Sequence, residues 1–243
     1  MGNAVWFTHN KIPFNKVLVF MCFSAPVSFA ASAFVASAGI LAIRATQKPA
    51  ERPFASVPIL FAIQQFIEGV LWLLLPHVGT APTTHGLVQI YAFFIGVIWP
   101  IMIPLGILMI EPGLIRRRLM MAVLAIGVIV ALGTFGIIVR YGVGVQVVNQ
   151  CLVYSNPVGG GFVIRSAYVI ATCAAYFVSS HKSVRWIGVA MVAGFGVAFS
   201  FYRLNWPSVW CFFAAIVSAL IYLHFRRSRI AAAPADTATT EAS

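Results

Sequence analysis

The sequence predicts an all-α, polytopic transmembrane helix bundle of about seven spans. Three observations carry that prediction. Hydrophobic residues make up 61% of the chain and charged residues 9%, with a mean hydropathy of +0.95. A soluble domain of ordinary composition carries about a quarter charged residues. Several apolar runs reach the roughly 20 residues that a helix needs to cross a bilayer. Those runs are continuous rather than alternating in polarity, so they read as helices and not as barrel strands.

The elements follow in order. Residues 1–20 read as a polar-to-mixed N-terminal extension, residues 21–226 as the helix bundle, and residues 227–243 as a disordered tail rich in small residues. The first span runs to about Ile43, and Ser24, Ser28 and Ser32 recur every four residues on one face of it. That stripe suits close packing by small residues or the polar lining of a cavity. The second span covers about Phe54 to Leu75 and the third about Leu87 to Ile110, with kinks expected at Trp99-Pro100 and Pro104. The fourth covers about Leu119 to Val139. A connection of residues 140–162 follows. It is long enough to read as a lid, a binding loop or a mobile segment, and its Gly159-Gly160-Gly161 lacks the Lys-Ser/Thr ending of a phosphate loop. The last three spans cover about Val163 to Ser179, Trp186 to Tyr202 and Ser208 to Phe225.

The formal net charge of +11 is distributed among the short loops rather than on one surface. This argues for topology signals and against a nucleic-acid partner. With seven spans, alternate loops carry 11 basic residues on one side (Arg44 through Arg229) and 5 on the other (Lys11, Lys16, Arg140, Arg165 and Arg203). The positive-inside rule then places the N-terminus outside and the C-terminus in the cytoplasm of an inner (plasma) membrane.

One residue breaks the apolar pattern. Glu68 is the acidic residue that lies inside a long apolar run. A carboxylate at that depth is expensive unless it is paired, hydrated or protonated, and it marks a functional site by default. Gln64, Glu68 and Trp72 are four apart, hence on one face, with Gln65 adjoining. The predicted topology puts Cys22, Ser24, Arg165, Tyr202, Arg203, Trp210 and Cys211 at a similar depth. Together these residues predict an outward-facing polar pocket, with Arg165 or Arg203 as the charge partner of Glu68. The competing reading has Glu68 paired only to fix helix packing.

Cys22 and Cys211 open the first and last helices. They read as a metal or redox pair, as a disulfide, or as small buried hydrophobes. His77 and His85 lie in one outer loop, as metal ligands with Cys22 or Glu68 or as solvated side chains. His224 reads as capping or snorkelling at the inner surface. The exclusions are firmer. The seventh span has no lysine for a retinal Schiff base. No histidine lies mid-membrane for a b-type haem. There is no CxxC, no HExxH and no Ser/His pair within the membrane for a rhomboid-like protease. No motif names a cofactor.

Met21-Cys22-Phe23-Ser24 with Ser28-Phe29, then Gln64, Gln65, Glu68, Gly69 and Trp72, Glu111-Pro112, Ser180-His181, and Ser208 to Phe213 through His224 form a further pattern. In these segments the chain resembles an uncharacterised family of bacterial multi-pass membrane proteins. The resemblance covers about Met21 to Phe225 and implies a multi-pass fold without an established activity. Members tend to begin at the Met-Cys-Phe-Ser segment, which implies that Cys22 becomes an N-terminal cysteine if translation starts at Met21 and that Met is removed. Three functions fit: a protein that binds or moves a small polar ligand or ion through the Glu68 pocket; a membrane metal/redox protein or enzyme using Cys22, Cys211 and Glu68; and a structural subunit of a membrane complex or homo-oligomer. The lipid bilayer is the expected partner in all three.

Overall fold

The computed structural model describes residues 24–78, 81–148, 151–155, 161–201 and 206–240. Its helices are α1 (Ala25–Ala45), the short α2 (Arg52–Ala55), α3 (Val57–Val78), α4 (Pro82–Phe93), α5 (Trp99–Ile110), α6 (Leu114–Tyr141), α7 (Phe162–Val178), α8 (Lys182–Phe201) and α9 (Trp206–Thr240). Four helical segments among the described residues are long and apolar enough to cross a membrane: Ala25–Ala45, Pro49–His77, Pro82–Ile110 and Leu114–Tyr141. α7 is apolar but only 17 residues long.

α1 begins with Pro26 in its first turn, where the missing N–H costs nothing. It buries a stripe of small residues, Ala25, Ser28, Ser32, Ala38, Gly39 and Ala42 among them, and packs antiparallel on α3. Ser32 Oγ donates to Ala62 O across that seam at 2.8 Å. The packing reading of the serine stripe therefore holds for Ser32. Ser24 is exposed at the helix start.

The third apolar run is one rod with a defect in it. α4 and α5 are joined by a π-helical stretch, Phe94–Ile98, directly before Trp99 and Pro100. Pro100 offers no N–H to Gly96 O, and Pro104 offers none to Pro100 O, so the rod loosens where the sequence places its prolines. α6 closes over this defect. A Cβ at Gly127 would collide with the Pro100 carbonyl oxygen, so only glycine allows the two helices to approach there. The far face of α6 exposes Leu119, Ile129, Leu132, Phe135 and Val139, an apolar surface suited to lipid.

The connection after α6 is not irregular. It folds into an antiparallel hairpin, β1 (Gly144–Val148) and β2 (Cys151–Ser155), with Gly144 opposite Ser155 and Val148 opposite Cys151. Val145, Val147, Val148 and Val153 supply the β-branched residues that favour strands. Gly142 turns the chain out of α6 at φ 70°, a value natural to glycine. At the other end of the chain, α9 continues past Phe225 to Thr240. The backbone is thus helical through Ala231-Ala232-Ala233, good helix formers within the tail whose small residues read as disorder.

Buried apolar residues form two clusters. The larger includes Phe54, Trp99, Ile103, Ile107, Met120, Tyr176, Ile187, Val217, Ile221 and Phe225 and fills the bundle. The smaller, made of Ile67, Leu71, Val88, Tyr91, Val145 and Leu152, lies beneath the hairpin. Polar groups sit beside each.

Candidate functional site

Gln64, Gln65 and Glu68 are all buried on α3, with Glu68 at 0% exposure. Glu68 Oε2 accepts hydrogen bonds from Gln65 Nε2 at 3.2 Å and from the Tyr91 hydroxyl at 3.3 Å. Gln64 Oε1 accepts from Trp99 Nε1 at 2.7 Å, and the Trp99 ring stacks on Phe61 at 4.0 Å. The two glutamines thus differ in role. Gln64 ties α3 to α5 just past the π-helical stretch, whereas Gln65 serves the carboxylate.

The hairpin covers this site. Tyr154 of β2 stacks on Tyr91 at 4.6 Å with the rings 14° apart. The Gln89 amide holds the hairpin root in both directions: its Nε2 donates to Val143 O and its Oε1 accepts from Val143 N, each at 2.9 Å. His85 Nε2 lies 3.2 Å from Gln89 Nε2. That histidine braces the loop, and His77 is exposed at the end of α3. Among the described residues no group of three or more His, Cys, Asp and Glu side chains is placed to hold a metal ion.

The other predicted site residues fall as follows. Trp72 packs against the cluster beneath the hairpin, one turn beyond Glu68. Arg165 is exposed in the first turn of α7. Glu68, by contrast, is fully buried. Cys22, Tyr202 and Arg203 lie outside the described residues, as do the side chains of Trp210 and Cys211. Tyr91 and Trp99 are partners that the sequence reading missed. Their signal was a polar-tipped aromatic inside an apolar run, whose buried O–H or N–H calls for an acceptor.

A second buried polar group stands at the opposite, arginine-rich end. Glu111, between α5 and α6, is 1% exposed. Its Oε2 accepts from Ser180 N at 2.8 Å and Ser179 Oγ at 3.3 Å, and its Oε1 from Gly113 N at 3.3 Å. Burial pushes the carboxyl up, but the bonds from Ser180, Gly113 and Ser179 outweigh it and hold the group below its ordinary value. Arg116 Nη1 donates to Val178 O at 2.9 Å, and Arg117 Nη1 donates to Leu108 O and Glu111 O. Carboxylate and arginines together clamp the α5–α6 turn to the α7–α8 turn.

His181 and His224 adjoin this clamp, with ring centroids 5.7 Å apart. His181 Nε2 meets Ile110 O at 3.0 Å, and Ser183 Oγ lies 2.6 Å from His224 Nδ1. His224 is 8% exposed and touches Phe54 and Phe225, so it neither snorkels nor caps. The Ser183–His224 pair joins residues 41 apart in sequence, at the end of the bundle, where spacing gives no sign of it.

A family model described as a family of unknown function (DUF6629) matches residues 21–237. No curated protein and no solved structure matches the chain.

Proposed function

The chain belongs to this family of unknown function, and we propose that it is a multi-pass membrane protein that binds, or carries across, a small polar ligand or ion at Glu68. The observation that carries this reading is the full burial of Glu68 in an apolar helix, where its Oε2 accepts from adaptable side chains, an amide and a phenol. Burying such a group costs several kcal/mol after relaxation, and a purely structural role is served more cheaply by an apolar residue. The hairpin over Tyr91 and the loosened rod at Phe94–Ile98 supply a cover and a bendable wall on two sides of the site.

In this reading the chain spans the inner (plasma) membrane about seven times. The arginine-rich turns and the C-terminus lie in the cytoplasm, and the hairpin and Glu68 lie toward the outside. Mass spectrometry of the full chain purified from its own membranes in mild detergent tests it. A small molecule or ion retained by the wild type and absent from Glu68→Gln is the expected result. Equal retention by both, or retention by neither, would overturn the assignment.

A further inference from the structure

The arginine-rich end of the bundle gathers basic residues that lie far apart in the chain. Arg229 Nη1 of α9 donates to Arg44 O, in the last turn of α1, at 3.2 Å, and α1 packs along α9. Ser183 meets His224, and Arg116 meets Val178 O, which brings the α7–α8 turn with its exposed Lys182 and Arg185 to the same end. The described carboxylates here are spent on other donors. Glu51 Oε2 accepts from Gln47 N at 2.7 Å and Lys48 N at 3.4 Å, and Glu111 is taken up by Ser180, Ser179 and Gly113. Among the described residues, neither forms an ion pair with an arginine or lysine of this end.

The exposed residues beside these charges say what kind of anion fits. On α8, Lys182, Arg185, Trp186, Val189 and Val192 are all exposed and recur at helical spacing. One helix face thus passes from basic through aromatic to apolar. On α1 the exposed Ile40, Leu41 and Ile43 lead into the exposed Arg44, and on α6 the exposed Arg118 adjoins the exposed Leu119. That grading matches the edge of a bilayer, with hydrocarbon, a tryptophan at the interface and charge at headgroup level. An acidic protein or a nucleic acid would match the charges and leave the apolar part of each face in water. A phospholipid covers both, and guanidinium groups suit phosphate. We infer that the α1–α9 seam at Arg44 and Arg229 binds the headgroup of an anionic phospholipid in the leaflet this end faces. This rests on the multi-pass membrane reading and is independent of Glu68.

Native mass spectrometry tests the inference on the full chain, reconstituted in an equal mixture of phosphatidylglycerol and phosphatidylcholine and released in mild detergent. The wild type is expected to retain phosphatidylglycerol in preference to phosphatidylcholine. Arg44→Gln and Arg229→Gln should each lower that preference about fivefold, the worth of one basic residue at an anionic surface. Arg140→Gln, at the opposite end of α6, should leave it unchanged, and all three variants should match the wild type by circular dichroism. Equal retention of the two lipids by the wild type, or an equal loss in Arg140→Gln, would overturn the inference and leave the Glu68 site standing. Displacement of the lipid by excess inorganic phosphate would show a free-anion site instead and overturn the lipid assignment. Recovery of the chain from lysed cells without detergent would overturn the membrane reading along with it.

Discussion

Glu68 and Glu111 are both buried carboxylates, and the chain treats them in opposite ways. Glu111 stands at a helix junction, where unpaired backbone N–H groups are available. Two backbone amides and one hydroxyl reach it from two separate turns, the shortest at 2.8 Å. Its ionised form is fully solvated by protein, so it acts as a clamp. Glu68 stands within a helix, whose own N–H groups are engaged in its ladder. The Gln65 and Tyr91 side chains meet it at 3.2 and 3.3 Å, longer than ideal charge-assisted bonds. Backbone donors cannot turn away from a carboxylate, whereas an amide and a phenol can exchange it for a ligand. A buried charge held by backbone is built for stability, and one held by movable side chains is built for exchange.

Substitutions can break or sharpen that contrast. The largest effect is expected at the clamp. Glu111→Ala strands the donors of Ser180, Ser179 and Gly113 and should cost about 2–4 kcal/mol, read as a lowered unfolding midpoint in detergent, whereas Glu68→Gln should change stability by less than about 1 kcal/mol. Next comes Gly127→Ala, where a methyl group meets the Pro100 carbonyl. It should cost about 1–3 kcal/mol through overpacking and should disturb the rod that joins the two regions. Gln89→Ala strands the N–H and C=O of Val143. It should cost about 1–2 kcal/mol and speed amide exchange in β1 and β2 while leaving the Glu111 turn protected.

The pH response should separate the two regions as well. The Glu111 carboxyl is held below its ordinary value of 4.5 in the fold, so its contribution is fully present above that pH and is lost as the pH falls through the lowered folded value. Wild-type stability should decline on this acid limb. Glu111→Gln should be less stable than wild type at neutral pH, with the gap closing as acid is added, which thermal unfolding across a pH series would show. The smallest effect is Tyr91→Phe. Loss of one long bond to Glu68 should cost about 0.5–1 kcal/mol and leave the hairpin stacked.

The sequence made the long apolar helices plain because composition and run length are bulk properties that no tertiary contact can reverse. It also located Glu68, since a carboxylate in an apolar run has few explanations. The prolines announced the weak point of the third rod, although the π-helical stretch falls just before them rather than at them. What the sequence could not show depends on contacts distant along the chain. Glu111 looked like a loop residue because its burial comes from Ser179 and Ser180, 68 and 69 residues away. Ser183 and His224 are separated similarly. The hairpin escaped notice because a few valines in a 23-residue connection are a weak signal beside so many apolar helices.

The division of labour between the two carboxylates is tested most directly by measuring thermal unfolding of wild type, Glu68→Gln and Glu111→Gln side by side, with and without the small molecule or ion that the wild type retains. Glu68→Gln should unfold near the wild-type midpoint and lose the ligand-induced rise, while Glu111→Gln should unfold at a lower temperature and keep that rise. A Glu68→Gln protein that is destabilised yet still raised by ligand, or a Glu111→Gln protein that is stable yet unresponsive, would contradict the account.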